Sequence, residues 1–203
     1  QPRRTVVVAT FDLDADEVTR AEYARCVQAG ACRPSSLPRS DDTTSKLPIT
    51  GVSWGDADAY CRYVHKRLPT EAEWERAARG TDGRQYPWGD EPDCARGNFG
   101  NYDGEGRCPQ NPGHPVEVGS FHGDGGGELH DLAGNVWEWV ADWYAADYYR
   151  RAPSANPKGP RRGERRVVRG GACCSMLGLP RAANRLSFPP DYRDDDLGFR
   201  CAR

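Results

Sequence analysis

The stretch Asp131-Leu-Ala-Gly134-Asn-Val-Trp-Glu-Trp-Val140 decides how this chain is read. Its first half is made of turn formers, and Asp131 and Asn135 can close hydrogen bonds onto their own backbone. Its second half, Val136 to Val140, is a short run of β-branched and aromatic residues and reads as a strand. Three similar runs follow, at Arg166 to Gly170, Ala183 to Phe188 and Gly198 to Ala202. Upstream, Gly83 to Gly127 is almost all turn formers: Pro87-Trp-Gly-Asp90, Asn98, Asn101-Tyr-Asp-Gly104 and Asp124 to Gly127. A loop of that length inside a compact domain has to be tied down, usually by disulfides or bound cations.

Further out, the first third carries helix signals. Thr19 caps a helix that runs to about Val27 and stops at Gly30. Ser53 or Asp56 starts a second, with Ala57, Tyr60, Cys61 and Val64 at helical spacing. Thr70 and Glu73 form a capping box for a third, in which each side chain serves the other's free N–H, and this helix ends at Arg79-Gly80. Thr5 to Asp12 alternates weakly and reads as an opening strand. Helices early and short strands late make a mixed α+β domain.

Length and composition agree. The 203 residues suit one domain over 1–203, with no internal repeat and no domain boundary. Gly 23 and Pro 16, spread throughout, describe a loop-rich globule and exclude a long-helix bundle. A net charge of -2 gives no basis for nucleic-acid binding. The run Arg161, Arg162, Arg165 and Arg166, broken by Glu164, reads as a solvated loop. The longest apolar run, Thr5 to Phe11, is far below the ~20 residues of a membrane span. Eight cysteines point to an oxidising compartment, but an even count of eight allows 105 pairings. Cys26 and Cys32 bracket the end of the first helix, and Cys94 and Cys108 bracket the loop holding Asn98 and Asp103, so each pair is expected to bridge locally. Neither pair has C-x-x-C spacing or a flanking histidine, which argues against zinc.

Seven short motifs then line up in order: Asp16-Glu-Val-Thr19, Val52-Ser-Trp54, Arg67-Leu-Pro-Thr-Glu-Ala-Glu-Trp74, Tyr86-Pro-Trp-Gly89, Gly134-Asn-Val-Trp-Glu-Trp139, Arg169-Gly-Gly171 and Gly198-Phe-Arg200. Each alone is weak; together they are specific. Over nearly its whole length the chain resembles the formylglycine-generating enzyme (sulfatase-modifying factor) family, with a start that looks clipped beside it. The resemblance implies a C-type-lectin-like α+β fold with little regular secondary structure. Members of that family include copper-dependent oxidases of a sulfatase cysteine, iron-dependent sulfoxide synthases and ligand-binding proteins with no chemistry, so the site has to settle the function.

The resemblance also implies specific residues. Cys61 and Cys201 match positions that pair in the family's eukaryotic enzyme, a loop closure contributing about 4–5 kcal/mol in the chain-entropy model. A second bridge of that enzyme falls at Ala78 and about Ala183, both alanine here. The cation loop would use side-chain oxygens of Asp131 and Glu138 with carbonyls of Gly134 and Val136, a hard donor set suited to Ca²⁺. A second Ca²⁺ site would match Asn98, the Phe99 carbonyl, Asp103 and Glu105. The copper enzymes carry a serine after Gly-Gly and two cysteines five residues apart, able to face one soft ion. This chain has Gly171-Ala172-Cys173-Cys174-Ser175, and the later cysteine position falls near Leu179 or Pro180. Copper is therefore not expected. For Cys173 and Cys174, the weak catalytic candidates, three readings stand: a vicinal disulfide, two packed thiols on opposite faces of a strand, or a redox or metal site. His65, His114, His122 and His130 show no iron-ligand spacing and read as surface loop residues. Trp74, Trp88, Trp137, Trp139 and Trp143 read as core.

The expectation is an exported bacterial domain, secreted, periplasmic or on the cell surface, without catalysis. It would bind a protein or ligand through residues 172–180 and 187–196, where the chain departs from the family. The alternatives are a copper- or thiol-dependent oxidase and a subunit of a surface assembly.

Overall fold

The structure, a computed structural model, describes residues 4–37, 43–100, 108–121, 128–176 and 178–203. Three helices form where local capping dictates: α1 (Arg20–Gln28), α2 (Trp54–Tyr63) and α3 (Glu71–Arg79). Each opens on a complete capping box, Thr19 with Glu22, Ser53 with Asp56 and Thr70 with Glu73. The serine at position 53, rather than Asp56, is the cap of α2. A further short helix, α4 (Tyr148–Arg151), has no side-chain cap and no forerunner in the sequence reading.

The strands are β1 (Trp137–Trp143), β2 (Arg166–Arg169), β3 (Leu186–Phe188) and β4 (Leu197–Gly198), in the order β3-β2-β1-β4. β1 runs antiparallel to β2 and parallel to β4, so Glu138 sits opposite both Arg169 and Gly198. Two strands are shorter than expected: β3 begins at Leu186 and β4 ends at Gly198. The expected opening strand over Thr5 to Asp12 does not form. Val7 and Leu13 make single bridges, to Ala155 and Ala202, because no neighbour runs alongside long enough for a ladder.

Helices α1 and α2 pack Tyr23, Tyr60 and Cys61 against Trp137, Trp139 and Phe199 in one core cluster. Helix α3 packs Trp74 and Ala78 with Val140, Val167 and Ala182 in another. Ala78 and Ala182 lie in the same cluster. Trp74, Trp137 and Trp139 are buried. Trp88 and Trp143 are only half-buried, contrary to the core reading. Trp88 stacks on Tyr86 and Phe99. Arg166 overturns the solvated-loop reading of its run: it lies in β2 with its guanidinium 3.5 Å from the Trp54 ring and 3.6 Å from the Trp143 ring. His65 and His114 are exposed and His122 lies outside the described residues, but His130 is half-buried with Nδ1 2.8 Å from Asp16 Oδ1.

Disulfides join Cys26 to Cys32, Cys61 to Cys201 and Cys94 to Cys108. Cys61–Cys201 ties α2 to the last residues, 140 positions on. No helix among the described residues is long and apolar enough to cross a membrane.

Candidate functional site

β2 ends at two glycines whose backbone turns the chain out of the sheet, with φ +96° at Gly170 and +79° at Gly171. A Cβ on Gly171 would come within 2.9 Å of the Pro180 Cα, so the segment folds back tightly on itself. The Ser175 amide donates to the Ala172 carbonyl (2.9 Å), and Cys173 and Cys174 occupy the middle of that turn. Neither thiol is on a strand. The Sγ atoms are 3.5 Å apart and unbonded, and the Cys174 thiol donates to the Gly113 carbonyl at 2.9 Å. Cys173 is 1% exposed, and burial first, then its neighbour Cys174, pushes its thiol well above the ordinary range. The thiolate is the nucleophile, so in the absence of a metal ion burial disfavours the reactive form of Cys173.

Of the segments expected to bind a partner, Met176 is 63% exposed, while Phe188 and Tyr192 are half-buried and pack against the core. Phe188 stacks on Tyr192 with ring centroids 4.4 Å apart. The carboxylates of Asp194, Asp195 and Asp196 lie within 4.8 Å of one another. Burial, together with Asp194 and Asp195, pushes Asp196 up to about 6.

The cation loop packs directly underneath. The Cys173 amide donates to the Asn135 carbonyl at 3.0 Å. Gly134 has φ +101°, and a Cβ there would sit 2.2 Å from the Asn98 carbonyl oxygen, so only glycine lets the two expected cation segments touch. Asp131 Oδ2 accepts from the Gly119 amide (2.7 Å), while Oδ1 is buried with no hydrogen-bond partner among the described residues. Asn98 donates to the His114 carbonyl and to Asn135 Oδ1, and its own Oδ1 is likewise without a partner. The Phe99 carbonyl accepts from Asn111 at 2.8 Å. Asp103 and Glu105 lie outside the described residues.

Glu138 is the expected ligand whose oxygens are already engaged. They accept from Arg200 Nε and Nη2 and from Trp74 Nε1 at 2.8–3.1 Å. Sequence reasoning passed over Glu17, which is 1% exposed, accepts from Asn135 Nδ2 at 3.1 Å and keeps Oε2 without a partner among the described residues. Burial and then the Asp131 charge raise Glu17; burial raises Asp131 to about 6. Buried hard oxygens without donors fit a Ca²⁺ ion, so Asp131 and Asn98 suit the expected cation while the Glu138 carboxylate already serves a guanidinium.

The sequence matches the family described as "Sulfatase-modifying factor enzyme 1-like domain" over residues 1–203. This chain belongs to that family. It is 46% identical to the formylglycine-generating enzyme of Streptomyces coelicolor over 97% of this chain and 66% of that protein. It is 39% identical to the bovine protein named "Inactive C-alpha-formylglycine-generating enzyme 2", over 77% of this chain and 50% of that one. The chain thus spans between half and two thirds of the length of these relatives. Among solved structures, PvdO from Pseudomonas aeruginosa superposes with a TM-score of 0.78 at 26% identity, covering 98% of this chain and 82% of that one. Treponema denticola variable protein 1 gives a TM-score of 0.78 at 23% identity over 97% and 85% of the two chains, a likeness of fold alone. The α+β, C-type-lectin-like fold of the formylglycine-generating enzymes is the fold of this protein.

Proposed function

We propose that this chain is a non-catalytic member of the family, an exported binding or structural domain that engages its partner through residues 172–180 and 187–196. The observation that carries this reading is the Ala172–Ser175 turn. Copper chemistry on this scaffold calls for two thiolates set five residues apart, and the later position here falls at Leu179 or Pro180, neither of which offers a donor. Cys173 is buried, and Ala172 stands where the copper enzymes carry serine. The bovine relative named inactive supports the same reading, since likeness at 39% identity coexists with that name. Met176 and the Phe188–Tyr192 stack beside three acids give the surface both apolar and charged contact groups. Three disulfides favour an oxidising compartment outside the cytosol.

On this reading a structural Ca²⁺ ion, held through Asp131 and Asn98, ties the loop before Cys108 to the turn at Gly134. It supplies cross-linking charge and no reaction step.

A second reading, a copper- or thiol-dependent oxidase, is favoured by the 46% identity to a formylglycine-generating enzyme and by two thiols 3.5 Å apart. The two part on one experiment: incubation of the copper-loaded protein with a sulfatase-motif peptide. An unchanged cysteine supports the binding domain, and an aldehyde product supports the oxidase.

A further inference from the structure

Six exposed cations crowd one stretch of a chain whose net charge is -2. Residues 147–165 hold Arg150, Arg151, Lys158, Arg161, Arg162 and Arg165 against two acids, Asp147 and Glu164. Arg151 pairs with Asp147, and the other five side chains make no ion pair among the described residues. Packing holds this stretch against the end of β1. A Cβ on Gly159 would lie 3.1 Å from the Trp143 carbonyl oxygen, and one on Gly163 would lie 3.0 Å from the Trp143 Cβ. The Tyr144 amide donates to the Arg165 carbonyl at 2.8 Å.

An acidic stretch adjoins the basic one. Arg165 Nε donates to the Ser187 carbonyl at 3.1 Å, and its guanidinium lies 6.0 Å from the centre of the Phe188 ring. Phe188 stacks on Tyr192, whose phenol donates to Asp194. Residues 187–196 contain four aspartates and one arginine, and Arg193 is engaged with Asp56 Oδ2 at 2.7 Å. Asp191, Asp194, Asp195 and Asp196 are therefore left without a cation among the described residues, although the basic stretch begins just beyond the Phe188 ring. Within one chain the two sets of charges lie on either side of the Phe188–Tyr192 stack and do not pair.

We propose that this surface docks a second copy of the chain about a two-fold axis at the Phe188–Tyr192 stack, so that the cations of each copy meet the aspartates of the other. This rests on the reading that residues 187–196 engage a partner, and it names that partner. Opposite charges on either side of one centre become self-complementary after half a turn about it. Five of the six cations are arginines, whose planar fork takes a carboxylate through two N–H bonds at once. An unrelated acidic protein would answer the basic half alone and leave the four aspartates unmatched.

Sedimentation velocity of the disulfide-intact protein over a range of concentrations tests this, with Ca²⁺ held constant. Two charge-reversed proteins are compared with wild type: one carries Arg161→Glu and Arg162→Glu, the other Asp191→Arg and Asp195→Arg. All four positions are exposed, and circular dichroism establishes that each protein is folded. The wild-type chain is expected to show a monomer–dimer equilibrium whose Kd rises about tenfold or more between about 0.05 M and about 0.5 M salt. Each reversed protein alone is expected to stay monomeric where wild type dimerises, because like charges then face each other. An equimolar mixture of the two should dimerise again, since every patch regains an opposite. A wild-type chain monomeric throughout overturns the second copy as partner and leaves the non-catalytic reading standing, which the peptide assay tests separately. A dimer that both reversed proteins retain, or a mixture that stays monomeric, overturns the charge-paired geometry.

Discussion

Replacing Asp142 by asparagine should stabilise this protein at neutral pH and leave it little changed in acid. Asp142 lies on β1, 1% exposed, with Oδ2 accepting from the Glu71 amide at the start of α3 (2.8 Å). Its Oδ1 has no partner among the described residues, and a Cβ on Gly159 would come within 3.0 Å of it. The neighbouring Glu71 carboxylate is neutralised by Arg169 and Arg185. Burial, then the Glu71 charge, pushes Asp142 from 3.8 up to about 7. For an acid raised in this way, both states are protonated below the unfolded value and nothing is lost there. Between pH 4 and 7 the unfolded chain ionises while the folded one does not, so stability falls as pH rises and levels off once the folded group ionises as well. Linkage puts the loss at about 2 kcal/mol at pH 5 and about 4 kcal/mol at pH 8. Asparagine does not titrate. Urea unfolding of both proteins at pH 5 and pH 8, with disulfides intact and Ca²⁺ held constant, should therefore show the difference shifting by about 2–3 kcal/mol in favour of Asp142→Asn. Asp131, Asp196 and Glu17 titrate alike in both proteins and cancel. A difference constant to within about 0.5 kcal/mol across that range would refute the reasoning, because Asp142 would then ionise normally despite its burial.

Breaking the Glu138–Arg200 pair by Glu138→Gln should cost about 3–5 kcal/mol in urea unfolding, since it leaves a fully buried guanidinium without its counter-ion. Arg166→Lys keeps the charge yet cannot lie flat between Trp54 and Trp143. It should lose about 1–2 kcal/mol, read as a fall in Tm of about 3–6 °C.

Features set within a few residues were legible in the sequence. Thr19 and Thr70 read as caps, Thr70 through its partner Glu73 three positions on, and position 53 was open against Asp56; the three helices start at Thr19, Ser53 and Thr70. The opening segment was misread because alternation cannot distinguish a strand with a ladder from one held at Val7 and Leu13 by single bridges to the distant Ala155 and Ala202. Cys173 and Cys174 were open to a strand reading because nothing in the letters says that Gly170 and Gly171 both take positive φ and break β2 before them. Arg166 belongs to an arginine run that looks solvated, and only the bulge in β1 pairing brings Trp143 opposite it. Glu17 carries no spacing signal at all. Its significance is a balance of charges among Asp131, Glu138 and Arg200, which exists only once β1, β4 and the segment before α1 are assembled.

The claim that this scaffold carries no oxidase is tested most directly by turnover. A cysteine-containing sulfatase-motif peptide is incubated in air with the copper-loaded protein, and with the Streptomyces coelicolor enzyme as positive control, and its mass is followed. Peptide recovered unchanged from this protein while the control converts it is the predicted result. Formation of the formylglycine aldehyde by this protein, lost on Cys174→Ser, would contradict the account and place catalysis at the Cys173–Cys174 turn.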